Sequence, residues 1–177
     1  NFDGHGFNGA FPPDTNGDVG PRHYIQMINA PGAGSTFKIW DKQGGVLANE
    51  TAVGTLAPLG SKCRVGNGDP VVLYDRLANR WLMSETAAHP GTPTPGFLCV
   101  YISKSGNPVT GGWWTYEFPT PSFPDYPHYA VWPDAYYVGV NEAVPGPISS
   151  AYALDRKKML QGQPATFNRF QTDQLPG

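Results

Sequence analysis

Three stretches of the chain share one pattern, in which a turn is followed by an aromatic residue and a short β-strand: DVGPRHYIQMIN (residues 18–29), DRLANRWLMSE (75–85) and PDAYYVGVN (133–141). The aromatic residues Tyr24, Trp81 and Tyr136 lie 57 and 55 residues apart. A repeat of about 55 residues with four short antiparallel strands has the size of a β-propeller blade. A β-sandwich is the alternative all-β fold, but it gives no reason for this period.

The rest of the chain agrees with an all-β fold, because short β-rich runs alternate with turns rich in Gly, Pro and Asn. The sequence therefore predicts a single domain over residues 1–177, with blades at about 10–60, 61–120 and 121–177. Closed propellers have about 4–8 blades. Three blades predict a fragment or one part of a larger ring, which a second chain or self-association would complete.

Composition excludes several classes of protein. The chain has no apolar run near the roughly 18 residues of a membrane span. Its formal net charge is −2, and it has no basic stripe, which argues against a nucleic-acid partner. Hydrophobic residues make up 40% and aromatic residues 13%, so the chain can bury a core.

The number of cysteines and the composition indicate whether the protein is secreted. Two cysteines, few lysines and abundant Gly, Pro, Asn and Thr are typical of a secreted protein. Cys63 lies in a predicted loop and Cys99 in a predicted strand, and neither has the CxxC spacing of a metal site. A disulfide would close a loop of about 36 residues. Two unrelated free thiols are the alternative.

Longer motifs carry a resemblance to a known group. PPDTNGDVGP (12–21), GDPVVLYD (68–75), FPDYP (123–127) and VWPDAYY (131–137) resemble motifs of secreted bacterial β-propeller-like proteins. The resemblance covers nearly the whole chain and implies a propeller fold and an extracellular location. In that group, cysteines like Cys63 and Cys99 precede the Gly-Asp-Pro and lie in the next strand, which supports the disulfide. The biochemical role of the group is poorly defined.

Asp14, Asn16 and Asp18 form a D-x-N-x-D pattern that suits calcium. Calcium takes six to eight oxygen ligands, and alternate oxygen-bearing side chains supply several from one short loop. The pattern lacks the Gly and Glu positions of the helical calcium loop. The alternative is a plain turn between the first two strands of blade 1, for which Asn, Gly and Asp are equally suited.

Asp69 and Asp125 each lie close before the first strand of a predicted blade. Because the first strands of a propeller lie next to its axis, we expect both carboxyl groups at one mouth of the central tunnel. Such a pair could catalyse glycoside hydrolysis, with His128 assisting, or hold an axial cation. The structural alternative is that each aspartate caps backbone N–H groups.

These residues leave three functional hypotheses. The first is a secreted, non-enzymatic binding or scaffold propeller that displays loops to an extracellular polysaccharide or protein. The second is a polysaccharide-acting glycoside hydrolase or lyase that uses Asp69, Asp125 and His128. The third is a structural module stiffened by Ca²⁺ at Asp14, Asn16 and Asp18. No nucleotide-cofactor motif is present, and fold alone does not decide among the three.

Overall fold

A computed structural model describes residues 1–88, 95–142 and 148–172. Within those ranges the chain forms three four-stranded antiparallel sheets, which we call blades 1, 2 and 3. Blade 1 consists of β1 (Asn16–Val19), β2 (His23–Ala30), β3 (Gly34–Asp41) and β4 (Val46–Ala52). Blade 2 consists of β5 (Gly68–Asp75), β6 (Arg80–Ala88), β7 (Gly96–Ser103) and β8 (Trp113–Thr120). Blade 3 consists of β9 (Asp125–Val131), β10 (Tyr136–Glu142), β11 (Ile148–Leu154) and β12 (Phe167–Thr172).

Strands follow one another in chain order within each blade, so β1, β5 and β9 are edge strands. These three inner strands also contact each other, β1 with β5 and β5 with β9. The prediction of an all-β fold built from four-stranded blades is confirmed. The short helices of the described residues lie between strands: two 3₁₀ turns (Val53–Leu56 and Lys62–Arg64) and α1 (Arg156–Met159). None of the described helices is long and apolar enough to span a membrane.

The three aromatic residues of the sequence pattern occupy the same register position in the three blades. Each pairs with a residue at or next to the end of the inner strand, and the pairs are Val19–Tyr24, Tyr74–Trp81 and Val131–Tyr136. Trp81 and Tyr136 are fully buried. Burial of an aromatic side chain removes a large apolar area from water, so these residues hold neighbouring blades together.

Two apolar clusters fill the spaces between blades. The first joins blades 1 and 2 and includes Ile25, Met27, Ile39, Trp81 and Met83. The second joins blades 2 and 3 and includes Leu82, Leu98, Ile102, Phe118, Tyr136 and Tyr152. Blade 2 is therefore buried on both faces, whereas β10 of blade 3 alternates between buried and exposed residues.

Cys63 and Cys99 form the predicted disulfide, with their Cα atoms 5.5 Å apart. Cys63 lies in the connection between blades 1 and 2, and Cys99 lies in β7. Both residues are fully buried. The disulfide therefore ties the connection between the blades to the core that they share.

A buried ion pair joins blades 2 and 3. The Arg156 guanidinium donates to both carboxylate oxygens of Asp75, at 2.8 and 3.1 Å. The Tyr136 hydroxyl donates to the same carboxylate at 2.7 Å. Asp75 also accepts backbone N–H groups at the turn after β5. A buried carboxylate needs such a full set of partners, because leaving it unpaired costs several kcal/mol.

Glu85 is fully buried where blades 1 and 2 meet. The Ser35 backbone N–H donates to Oε2 at 3.1 Å, and the Tyr101 hydroxyl lies 3.3 Å from Oε1. Burial raises the pKa of the Glu85 carboxyl to about 8, although these hydrogen bonds oppose the shift. Near neutral pH this side chain is therefore held largely as the neutral acid.

We expect the stability of the protein to fall as pH rises, because the pKa of Glu85 is higher in the folded chain than its ordinary value of 4.5. The stabilising effect of the bound proton is complete below pH 4.5 and is lost as pH rises toward 8. The free energy of unfolding should drop by on the order of 3–5 kcal/mol over this range. Urea unfolding of the wild type and of Glu85→Gln at several pH values tests this. Equal pH dependence in the two proteins would contradict it.

Candidate functional site

A pocket of about 410 Å³ opens where the inner strands of the three blades begin. Its lining comes from residues 14–16 beside β1, residues 69–71 and 73 of β5, and residues 126–129 of β9. The two sites that the sequence suggested separately therefore meet in part, since Asp14, Asn16, Asp69 and His128 all line this pocket. Because each blade supplies one segment, the pocket exists only when all three blades are packed together.

A non-glycine residue in the left-handed region of the backbone lies within two residues of the start of each inner strand. These residues are Asp14 with φ of 42°, Asp69 with φ of 54° and Tyr126 with φ of 54°. The three residues are equivalent. Each directly follows a residue that contacts the second strand of its blade five residues after the repeated aromatic residue. These contacts are Pro13 with Asn29, Gly68 with Thr86 and Asp125 with Asn141. Aspartate tolerates this conformation, whereas it is uncommon for tyrosine. A strained residue that persists at a pocket is a pointer to function.

A continuous set of hydrogen bonds runs across the three blades at the pocket. The Asn29 side-chain amide donates to Asp14 Oδ2 at 2.7 Å, and its Oδ1 accepts the Asp69 backbone N–H at 3.0 Å. Asp69 Oδ2 in turn accepts the Tyr126 backbone N–H at 3.0 Å. These contacts fix the relative positions of Asp14, Asp69 and Tyr126.

The surroundings of the pocket change the pKa of the Asp69 carboxyl group. Partial burial raises this pKa, and the nearby charges of Asp125 and Asp14 raise it further. The hydrogen bond from the Tyr126 N–H opposes that shift. A carboxyl group with a raised pKa can hold a proton closer to neutral pH than an ordinary aspartate does.

Tyr126 and His128 form the exposed rim of the pocket. Tyr126 is 65% exposed, and its ring packs edge-on against the His128 ring with centroids 4.4 Å apart. Aromatic edge-to-face contacts of this kind orient both rings. The pocket therefore combines an exposed aromatic ring, an imidazole and two carboxyl groups.

Asp125 does not line the pocket, in contrast to Asp69 and His128. Sequence matching paired Asp125 with Asp69, but the register pairs Asp125 with Asn141 and Gly68 with Thr86. Asp125 is therefore the equivalent of Gly68, and Tyr126 is the equivalent of Asp69. Asp125 remains close enough for its charge to act on Asp69.

Asn16 and Asp18 contact the neighbouring blade. Asn16 Oδ1 accepts the Val72 N–H at 2.8 Å, and Asp18 Oδ2 accepts the Tyr74 N–H at 2.7 Å. The alternative of a plain turn is wrong, because residues 16–19 form strand β1. In the described part of the chain, no three His, Cys, Asp or Glu side chains are grouped to hold a metal ion. Calcium at Asp14, Asn16 and Asp18 stays a prediction.

Comparison with known proteins bears on the fold. No protein-family model and no curated protein matches the chain. The arabinanase Arb43A of Bacillus subtilis is similar in structure, with a TM-score of 0.54 and 12% identity over 93% of this chain and 57% of that chain. A thermostable family-43 glycoside hydrolase has a TM-score of 0.48 and 16% identity, over 92% of this chain and 54% of that chain. The chain thus spans just over half the length of these structures, and the likeness confirms the β-propeller fold.

Replacing Asn29 with alanine should destabilise the junction of blades 1 and 2. The change removes the acceptor for the Asp69 N–H and the donor to Asp14, so we expect a loss of about 1–3 kcal/mol in the free energy of unfolding. Asn49→Ala, at an exposed position of β4, is the control and should change stability by less than about 0.5 kcal/mol. Urea unfolding measures both. Similar values for the two variants would show that the Asn29 link contributes little.

Proposed function

We propose that the protein binds an extracellular polysaccharide in the pocket shared by the three inner strands. The observation that carries this proposal is the exposed ring of Tyr126 beside the oxygen atoms of Asp14 and Asp69. A sugar presents an apolar C–H face and an edge of hydroxyl groups. An aromatic ring packs on the first, and carboxylate and imidazole groups hydrogen-bond the second.

The size and surroundings of the pocket support this ligand. A volume of about 410 Å³ lies within the roughly 300–1,000 Å³ of small-molecule sites. The likeness in fold to a propeller arabinanase supports a polysaccharide as the ligand. The buried disulfide is compatible with secretion, since disulfides persist in oxidising compartments.

The charge of the pocket favours a neutral glycan over an acidic one. Among the described residues, its lining holds two carboxyl groups and no lysine or arginine, and the carboxylate of Asp125 lies nearby. A uronic-acid chain would bring like charges together in a partly desolvated site, which is unfavourable. We therefore expect selection for polymers of neutral sugars.

Tyr126→Ala should weaken binding of a neutral polysaccharide at least tenfold, because the sugar loses its aromatic contact. Trp132→Ala is a matched control, since Trp132 is also 65% exposed but lies beyond the other end of β9. Calorimetric titration with arabinan, xylan and polygalacturonate fragments measures the effect. Absence of binding to all three, or an equal loss for both variants, would contradict the proposal.

A glycoside hydrolase is the second candidate, and the raised pKa of Asp69 favours it. Glycoside hydrolysis uses one carboxylic acid as proton donor and a second carboxylate as nucleophile or base. In this candidate Asp69 is the acid and Asp14 the carboxylate, because both line the pocket and Asp125 does not. His128 lies in the same pocket and can contact the substrate.

Release of reducing ends from the same polysaccharides distinguishes the two candidates. For a hydrolase, we expect Asp69→Asn to lower the rate at least 100-fold while binding persists, because asparagine keeps the shape and loses the proton donor. Asp134→Asn is the control and should retain most of the activity, because Asp134 is exposed between β9 and β10 and does not line the pocket. A wild-type protein that binds but releases no sugar supports the binding function alone.

A further inference from the structure

Each blade has one face that packs on the blade after it, which we call its forward face. In blade 1 this face includes Ile25, Met27 and Ile39, and in blade 2 it includes Leu82, Val100 and Ile102. The register places Tyr137, Gly139, Ala151 and Ala153 at the corresponding positions of blade 3. The face used at both existing junctions is therefore present a third time, and no described residue of the chain packs as a blade on it.

The forward face of blade 3 has the composition of a contact surface. Its described strand residues include no lysine, arginine or glutamate and one aspartate, Asp125, which pairs with Asn141. They are Asp125, His128, Ala130, Tyr137, Gly139, Asn141, Ser149, Ala151, Ala153, Asn168 and Phe170. Tyr137 is 38% exposed and Phe170 is 58% exposed. Solvated sheet faces normally carry polar and charged side chains. This face is mixed, and its exposed rings of Tyr137 and Phe170 beside small residues suit packing against another sheet.

Hydrogen-bond acceptors at the junction follow the same equivalence. Across the junction of blades 1 and 2, the side-chain oxygens of Asn16 and Asn29 accept N–H groups of the next inner strand. The register places His128 and Asn141 at these two positions in blade 3. Both are exposed. A ring nitrogen of His128 can accept a hydrogen bond, and Asn141 Oδ1, which accepts from the Ser149 hydroxyl at 3.4 Å, has a second lone pair.

The complementary surface is the rear face of blade 1, the face that in blades 2 and 3 receives the preceding blade. It carries Tyr24 at the position of Trp81 and Tyr136, with Trp40 beside it. Here the segment before β1 takes the place of a blade. The Phe2 ring lies 6.1 Å from the rings of both Tyr24 and Trp40, and the His5 N–H donates to Gln26 at 2.9 Å.

We propose that the forward face of blade 3 binds the rear face of blade 1 in a second copy of this chain, with the Phe2–His5 segment moving aside. Two copies joined by two such junctions contain six blades, within the range of closed propellers. The contact is heterologous, and a two-fold arrangement closes it into a dimer. The inference does not rest on glycan binding, although the two surfaces share His128.

Native mass spectrometry and light scattering at tens of micromolar protein test the proposal. We expect a species of twice 19.1 kDa, either in the wild type or after Phe2→Ala removes the ring that covers Tyr24 and Trp40. Tyr137→Lys should shift the dimer to monomer, because it places a charge on the forward face. Leu77→Lys is the control, since Leu77 is 63% exposed in a turn away from both faces.

Each outcome separates the proposed contact from other arrangements. A stronger dimer in Phe2→Ala supports contact with the rear face of blade 1. A dimer that Phe2→Ala leaves unchanged overturns that contact and indicates pairing of two blade 3 faces. Monomers for both wild type and Phe2→Ala overturn the proposal, as does a dimer that withstands Tyr137→Lys. Circular dichroism of each variant checks that it remains folded.

Discussion

Each inner strand is an edge strand, and the unpaired backbone N–H groups along it are the constraint on which the structure depends. An exposed row of such groups invites pairing with another chain, and a buried one costs free energy. Here side-chain oxygens of the preceding blade accept them: Asn16 and Asp18 at Val72 and Tyr74, and Asn29 at Asp69. Asp69 does the same for Tyr126 of blade 3. Asn16 and Asp69 also line the pocket, so the fold and the candidate site share part of one set of contacts.

The two blade junctions bury polar groups in different ways. Between blades 1 and 2, Glu85 is accommodated as an acid with a raised pKa, close to Tyr101 and the connection that contains Cys63. Between blades 2 and 3, Asp75 is paired with Arg156 and Tyr136. Between blades 1 and 2 the buried side chain is kept neutral, whereas between blades 2 and 3 a buried charge is paired with the opposite charge. The first junction therefore contains a carboxyl group whose pKa is raised by burial, although the blades are built alike.

The sequence was sufficient to predict the four-stranded blades, because aromatic residues and strands recur with a regular period. It also suggested Asp14, Asp69 and His128, because oxygen and nitrogen side chains beside inner strands are visible as motifs. It did not indicate Asn29 or Tyr126. The segment between the paired residues Tyr74 and Trp81 is two residues longer than its counterparts, and shifts of register occur near the starts of β5 and β9. Counting along the chain therefore matched Asp125 with Asp69. Strand β1 was not predicted at its actual position, because its alternating side chains are polar. The oxygen atoms of a D-x-N-x-D pattern can accept backbone N–H groups as well as bind calcium, so the pattern alone did not distinguish these roles.

The left-handed backbone at Tyr126 has a consequence for how this protein can change over time. A non-glycine residue in such a conformation costs roughly 1–3 kcal/mol, and glycine or asparagine would lower that cost at position 126. Either replacement would also remove the exposed ring from the pocket rim. Selection for stability alone would therefore act against the tyrosine, and its retention in related sequences would be a record of selection on the pocket.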